Sequence, residues 1–381
     1  MLPADAGADG QHKLVSLTRQ KISLAEQSAK SSIESLVKGK VTRRIGVITL
    51  PSFYEDFAAR QSGVQDYKSA TRDVARLLSA LKEEKVDGVL IDLRNNGGGS
   101  LVQAVELTGL FIDKGPVVQQ RNTKGEISVE SDTQAGVAWD GPMSVLINRA
   151  SASASEIFAA AIQDYGRGLI VGEPSFGKGT VQSVIDLDQG VKAKKPRLGE
   201  LKLTIAQFFR INGGTTQLRG VTPDILFPAV FDAQDFGESS FDNALPWVQI
   251  KGADYSAVAD LKASLPRLME QHEVRVKDDT CISARSVDDS TTSTSSVSGK
   301  GIRNENAPSQ ARADDASSSE ASAVCATSFR TASRVKNASQ ASCGMRLRSS
   351  RLSTGLNTVW SAVSRAKSLP ITAMSASSSA I

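Results

Sequence analysis

Three short stretches gather residue types able to do chemistry. Arg149-Ala-Ser-Ala-Ser-Ala-Ser-Glu156 sets three hydroxyls, Ser151, Ser153 and Ser155, among alanines. The apolar run before it reads as a strand, and the run after it as a helix. A helix N-terminus carries unpaired amides and the positive end of the helix dipole. A hydroxyl delivered there can act as a nucleophile, and the amides can receive an oxyanion. The same fragment also reads as an ordinary serine N-cap ahead of Glu156. Gly172-Glu-Pro-Ser-Phe-Gly-Lys-Gly-Thr-Val-Gln182 holds one lysine between two glycines. Close glycine packing would bury Lys178, lower its pKa and free a neutral amine to take a proton from serine. A surface lysine in a glycine turn has the same local sequence. Asn95-Asn-Gly-Gly-Gly-Ser100 is a glycine loop whose amides can face a carbonyl oxygen, although a tight strand-to-helix turn calls for glycine anyway.

Composition removes competing chemistries. The chain of 381 residues contains two histidines, His12 and His272, neither in a setting suited to a Ser-His-Asp site. Cys281, Cys325 and Cys343 all lie in the last quarter, so residues 1–280 hold neither a disulfide framework nor a cysteine zinc site. No cofactor or metal is implied. A net charge of +4 with interspersed signs gives no basic stripe for nucleic acid. No apolar run is long enough for a transmembrane segment, and no signal peptide is readable at Met1-Leu-Pro-Ala. Gly172 to Lys178 fits the start of a phosphate-binding P-loop, and Val89-Leu-Ile-Asp92 mimics its partner strand. However, Gly179 stands where the magnesium-holding Ser or Thr belongs, a β-like run follows instead of a helix, and the order of the two motifs is reversed.

The elements that must position these stretches alternate. His12–Arg19 reads as a strand within the polar, mixed residues 1–40. Arg44–Leu50 and Gly88–Leu93 read as buried strands, separated by a helix with Val74, Leu77, Leu78 and Leu81 on one face. A helix over Leu101–Phe111, strands over Val117–Gln120 and Met143–Asn148, a helix over Ser155–Tyr165 and a strand over Leu169–Gly172 follow. Thr180–Leu187 and Leu201–Ile211 are β-like. The order predicts an α/β fold with a largely parallel sheet. From Asp279 the chain is roughly a quarter serine with few aromatics, which predicts a low-complexity, disordered tail over 279–381. A frameshifted translation fits that stretch equally.

Together the motifs resemble the carboxy-terminal processing peptidases, most closely the bacterial tail-specific branch. The likeness is carried by Leu93-Arg-Asn-Asn-Gly-Gly-Gly, Ser151-Ala-Ser-Ala-Ser-Glu-Ile-Phe, Gln163-Asp-Tyr-Gly-Arg, Val171–Gln182, Gly220-Val-Thr-Pro-Asp-Ile225 and Phe241-Asp-Asn-Ala-Leu-Pro-Trp247. The family pattern sets its base 25 positions after its nucleophile, which selects Ser153 for Lys178. It also implies Asp164 as an acidic catalytic residue and Gln182 as the residue that orients the lysine. Lys178 and Gln182 would share one face of a strand. The implied oxyanion donors are the amides of Ala154 and Gly99, with Gly98 adjacent.

The resemblance implies a serine endopeptidase with a Ser–Lys dyad on a crotonase-like α/β core. Residues 1–24 would be the remnant of a PDZ domain and 25–278 the catalytic core. The implied partners are protein or peptide substrates with apolar C-termini, and the implied location is the periplasm or cell envelope. A catalytically inactive fragment of the same family, acting only as a binding module, is the alternative.

Overall fold

The computed structural model describes residues 27–190, 198–228 and 236–278. The expected strand at His12–Arg19, the PDZ remnant and the serine-rich tail lie outside them. The molecule is built on a six-stranded sheet. Strands β1 (Lys30–Lys38) and β2 (Val41–Thr49) form an antiparallel hairpin at one edge. From β2 the order runs through β3 (Gly88–Asp92), β6 (Met143–Ile147), β7 (Leu169–Gly172) and β10 (Ile225–Leu226), each parallel to its neighbour. The central strands Gly-Val-Leu-Ile-Asp, Met-Ser-Val-Leu-Ile and Leu-Ile-Val-Gly are buried along their whole length. That is why they read as continuous apolar runs without alternation.

Helices cover both faces. α2 (Ala70–Glu83) begins where the Ser69 hydroxyl accepts from the Arg72 amide, and it buries Val74, Leu78 and Leu81, as its spacing predicts. α3 (Leu101–Gly109) follows the glycine loop, and α4 (Ala154–Asp164) is almost entirely buried. Phe158 of α4 packs against Phe53 and, edge-on, Phe111 in the larger of two cores. The smaller core, with Ile45, Leu90 and Val171, lies on the opposite face under Leu268 of α5 (Leu265–Asp278). Near β2, α1 (Phe57–Gln61) adds one short turn of helix.

Two expectations change. The largely parallel sheet is accompanied by a second, wholly antiparallel one in the order β5 (Ile127–Asp132), β4 (Gly115–Asn122), β9 (Glu200–Phe209), β8 (Thr180–Asp186). In addition β1, β5 and α5 form where no element is expected. β1 and β5 are exposed and polar-rich, and in α5 the helical spacing of Leu265, Leu268, His272 and Val276 is diluted by charged residues. Among the described residues no helix is long and apolar enough to cross a membrane.

Candidate active site

The three serines before α4 have different fates. Ser151 is fully buried; its hydroxyl donates to the Leu93 carbonyl at 2.8 Å and accepts from the Asn148 amide. Ser155 is also fully buried and donates to the Asn96 carbonyl at 2.9 Å. Both hydroxyls brace the backbone. Ser153 is half-buried and occupies the N-cap position of a capping box with Glu156, and its hydroxyl donates to no acceptor among the described residues. Its backbone has φ 57° and ψ −114°, a region that a residue with a side chain enters only when its surroundings force it. The cap is supplied in reverse: the Glu156 carboxylate reaches back and accepts from the Ser153 amide at 2.7 Å. The result is a sharp strand-to-helix turn whose serine hydroxyl keeps its proton free of any acceptor among the described residues.

The glycine loop closes against this turn. Gly98 has φ +100°, and a Cβ there would stand 2.9 Å from Ser153 Cβ and 3.0 Å from the Ala154 nitrogen. Only glycine lets the two backbones approach so closely. The Gly98 amide is spent on the Asn96 side chain at 2.9 Å, whereas the amides of Gly99 and Ala154 donate to no acceptor among the described residues. Ala154 is the first residue of α4, where an unpaired amide is intrinsic to a helix. Asn96, fully buried, ties these pieces together. Its side chain also donates to the Leu50 carbonyl, and its own carbonyl accepts from the Ala152 amide.

Lys178 lies just before β8, in a turn wedged against residues 215–218. Gly177 has φ +95°, and a Cβ on it would lie 2.9 Å from the Leu218 carbonyl carbon; one on Gly179 would lie 2.8 Å from the Gln217 nitrogen. The lysine backbone is gripped on both sides. The Leu218 amide donates to the Gly177 carbonyl at 2.8 Å, the Thr216 hydroxyl to the Lys178 carbonyl, and the Gly179 amide to Gln217 Oε1 at 2.8 Å. Lys178 Nζ donates to Gln182 Oε1 at 3.2 Å. The expected pair therefore meets, but by another route. Lys178 precedes the strand, and a bulge interrupts the pairing between Val181 and Gln182, so simple alternation does not bring them together. A strand, and no helix, follows the glycine–lysine turn, which removes the P-loop geometry.

Glu156 joins the two turns, and the sequence reading passes over it. Its Oε1 accepts from the Ser175 hydroxyl at 2.6 Å and the Gly177 amide at 2.7 Å; its Oε2 accepts from the amides of Ser153 at 2.7 Å and Lys178 at 3.0 Å. One carboxylate oxygen thus holds the backbone nitrogens of both residues. Burial raises the Glu156 pKa to about 7, while these four donors pull it down. The available signal was the Ser-x-x-Glu spacing, which on its own means only a helix cap.

Asp164 is not placed with the others. It ends α4, whose eleven residues span about 16 Å from the serine turn. There it pairs with Arg210 at 2.6 Å and accepts from Asn212 Nδ2 at 2.9 Å. Spacing in the chain sets it between Ser153 and Lys178, but α4 puts it at the end remote from Ser153.

Residues 44–227 match the model of Peptidase family S41, and residues 231–285 match that of the C-terminal domain of tail specific protease. The chain belongs to family S41. It is 42% identical over 287 residues to a tail-specific protease of Haemophilus influenzae, covering 73% of this chain and 38% of that protein. It is 38% identical over 191 residues to a carboxy-terminal-processing protease of Bartonella bacilliformis, covering 50% and 40%. Among solved structures, a photosystem II D1 C-terminal processing protease aligns at 28% identity and TM-score 0.43, covering 57% of this chain and 51% of that one. The chain thus spans about two fifths of the length of these two curated relatives. The resemblance read from the motifs holds, and the S41 core carries both turns described above.

Proposed function

We propose that this S41 chain is a serine endopeptidase working through a Ser153–Lys178 dyad. The carrying observation is the strained turn at Ser153, the one of three neighbouring serines whose hydroxyl donates to no acceptor among the described residues, while Glu156 fastens that turn to the turn of Lys178. Ser153 Oγ attacks a peptide carbonyl as neutral Lys178 Nζ accepts its proton. The developing oxyanion is received by the amides of Gly99 and Ala154, and Gly98 provides the close approach that aligns them. Lys178 then returns the proton to the leaving amine, and water hydrolyses the acyl-enzyme. Gln182 orients the lysine through its side-chain carbonyl. Asp164 serves the fold through Arg210 and takes no part in proton transfer.

The names of the relatives, tail-specific and carboxy-terminal-processing protease, support proteins chosen by their C-terminal tails as substrates; the periplasm or cell envelope is the setting that the family resemblance implies. A serine-directed fluorophosphonate tests the dyad. The expected result is one covalent adduct, mapped by mass spectrometry to Ser153 and absent from Lys178→Ala. An unlabelled chain that also fails to cut an unfolded protein would point to the inactive binding fragment instead.

A further inference from the structure

The S41 core is tied to the segment that follows it at many points, and several of these gather on the lysine turn. Arg149, four residues before Ser153, donates through Nε to the Phe236 carbonyl at 2.7 Å and through one terminal nitrogen to the Ser175 carbonyl at 2.8 Å. The Glu238 amide donates to the Phe176 carbonyl at 2.9 Å, and the rings of Phe176 and Phe236 meet edge to face at 5.7 Å. Trp247 Nε1 donates to the Thr215 carbonyl at 2.8 Å. Between these contacts lies Gln217, fully buried and engaged at both ends of its carboxamide. Oε1 accepts from the Gly179 amide at 2.8 Å, and Nε2 donates to Glu238 Oε1 at 3.0 Å. Every partner on the far side comes from residues 236–247, inside the region matching the C-terminal domain of tail specific protease.

A buried amide with both ends satisfied has one low-energy orientation, because turning it strands a donor against a donor and an acceptor against an acceptor. Gln217 therefore fixes the Gly179 amide, one residue from Lys178, only while Glu238 holds its other end. None of these contacts belongs to the pairing of either sheet. Removing Glu238 would leave a buried donor unpaired beside the lysine turn and free that turn to shift. We propose that Gln217 and Glu238 are positioning residues for Lys178, so that residues 236–247 of the C-terminal domain form part of the active site. This rests on the reading of Lys178 as the general base.

The test uses the whole chain with an unfolded protein as substrate and three variants: Glu238→Ala, Gln217→Glu, and the exchange Gln217→Glu with Glu238→Gln. The exchange keeps an oxygen on the Gly179 amide and reverses the donor and acceptor of the bridge. Displacing a base by a fraction of an ångström costs on the order of tenfold or more, so kcat should fall at least about tenfold in each single variant. KM should stay within about twofold, and the acid limb of the kcat–pH profile should move. The exchange should restore kcat to within about threefold. The NMR titration of Lys178 Nζ should move in Glu238→Ala and return in the exchange; this readout needs no turnover. A Glu238→Ala variant with unchanged kcat and an unchanged Nζ titration overturns the proposal. So does a loss of kcat that only tracks a lower melting temperature and is not restored by the exchange. Lys178→Ala, measured alongside, separates the two ideas, because activity surviving there removes the dyad whatever the bridge does.

Discussion

The turn carrying Ser153 and the turn carrying Lys178 are restrained in different ways. The serine turn is made of small residues and backbone, with its two flanking hydroxyls and Asn96 sewn into the glycine loop beneath it. It lies between two regular elements, β6 and α4, that fix its ends. The lysine turn likewise lies between two regular elements, the strands β7 and β8. Its shape is imposed by residues 215–218, themselves held by Glu238 and Trp247. The turn of the nucleophile is thus braced from the glycine loop that precedes it in the chain, whereas the turn of the base depends on residues 215–218 and the segment beyond them. Damage near Ser153 should act through steric displacement, and damage near Lys178 through loosening.

The largest effects should come from the reacting groups. Ser153→Ala should reduce cleavage at least about a thousandfold without changing the melting temperature. Ser151→Ala and Ser155→Ala should do the reverse, each losing about 0.5–1.5 kcal/mol in denaturant titrations by removing one hydrogen bond to a buried carbonyl that keeps a backbone donor, Asn96 or Ala152. Lys178→Arg should be as inactive as Lys178→Ala, because arginine keeps its proton at neutral pH. If Ser155→Ala abolishes cleavage while Ser153→Ala does not, the division of roles among the three serines is wrong.

Steric damage comes next. Gly98→Ala places a methyl within 3 Å of Ser153 Cβ and of the Ala152 carbonyl, on a backbone with φ +100°. A shift of about an ångström at the nucleophile should cost on the order of a hundredfold in kcat. Gly97→Ala is the control, since a Cβ there meets nothing within 4 Å. Equal rates in the two variants would show that the glycine loop does not set the oxyanion geometry.

Glu156, which serves both turns, makes its effect visible in pH. Its pKa stands at about 7, above the ordinary 4.5, with burial as the cause. A raised carboxyl pKa means that the folded state binds the proton more tightly than the unfolded one. The contribution of this group to stability is therefore complete below about 4.5 and lost as pH rises through about 7. Cleavage should run the other way, because a protonated carboxyl cannot accept from all four donors, so acidification through about 7 loosens both turns. Glu156→Gln should flatten the stability slope between those pH values and lower cleavage several-fold at every pH. A variant whose unfolding keeps the parent pH slope would remove Glu156 as its source.

The sequence made the serine turn legible because strand, small residues and helix follow one another without a gap. It could not choose among the three hydroxyls, since what occupies Ser151 and Ser155 is the loop of Leu93 and Asn96, nearly sixty residues earlier. Family spacing supplied that choice. Glu156 stayed hidden for a similar reason: three of its four donors lie in another turn, and only the cap-like contact is local. The parallel sheet was readable from its continuous apolar strands. The antiparallel sheet was only half readable, because β5 exposes Ile127 and Val129 while interleaving polar residues.

Asp164 gives the smallest expected effect on catalysis and the sharpest check on the comparison. Its carboxylate is almost fully buried and pairs with Arg210, whose side chain is mostly buried as well. Removing one partner of such a pair leaves the other charge desolvated, a loss of roughly 3–5 kcal/mol. Asp164→Ala should therefore be strongly destabilised. Asp164→Asn, which keeps an acceptor toward Arg210 but no charge, should lose less, on the order of 1–3 kcal/mol. Because α4 is a rigid element, neither change should reposition Ser153 while the helix stays folded. The expected outcome is near-parental kcat in Asp164→Asn well below its melting temperature, with activity and helical circular dichroism lost together on heating. A fully folded Asp164→Asn chain with kcat reduced a hundredfold would mean that this carboxylate acts on the reaction across the length of α4, and the division between a nucleophile braced by the glycine loop and a base held by residues 215–218 would have to be redrawn around the helix itself.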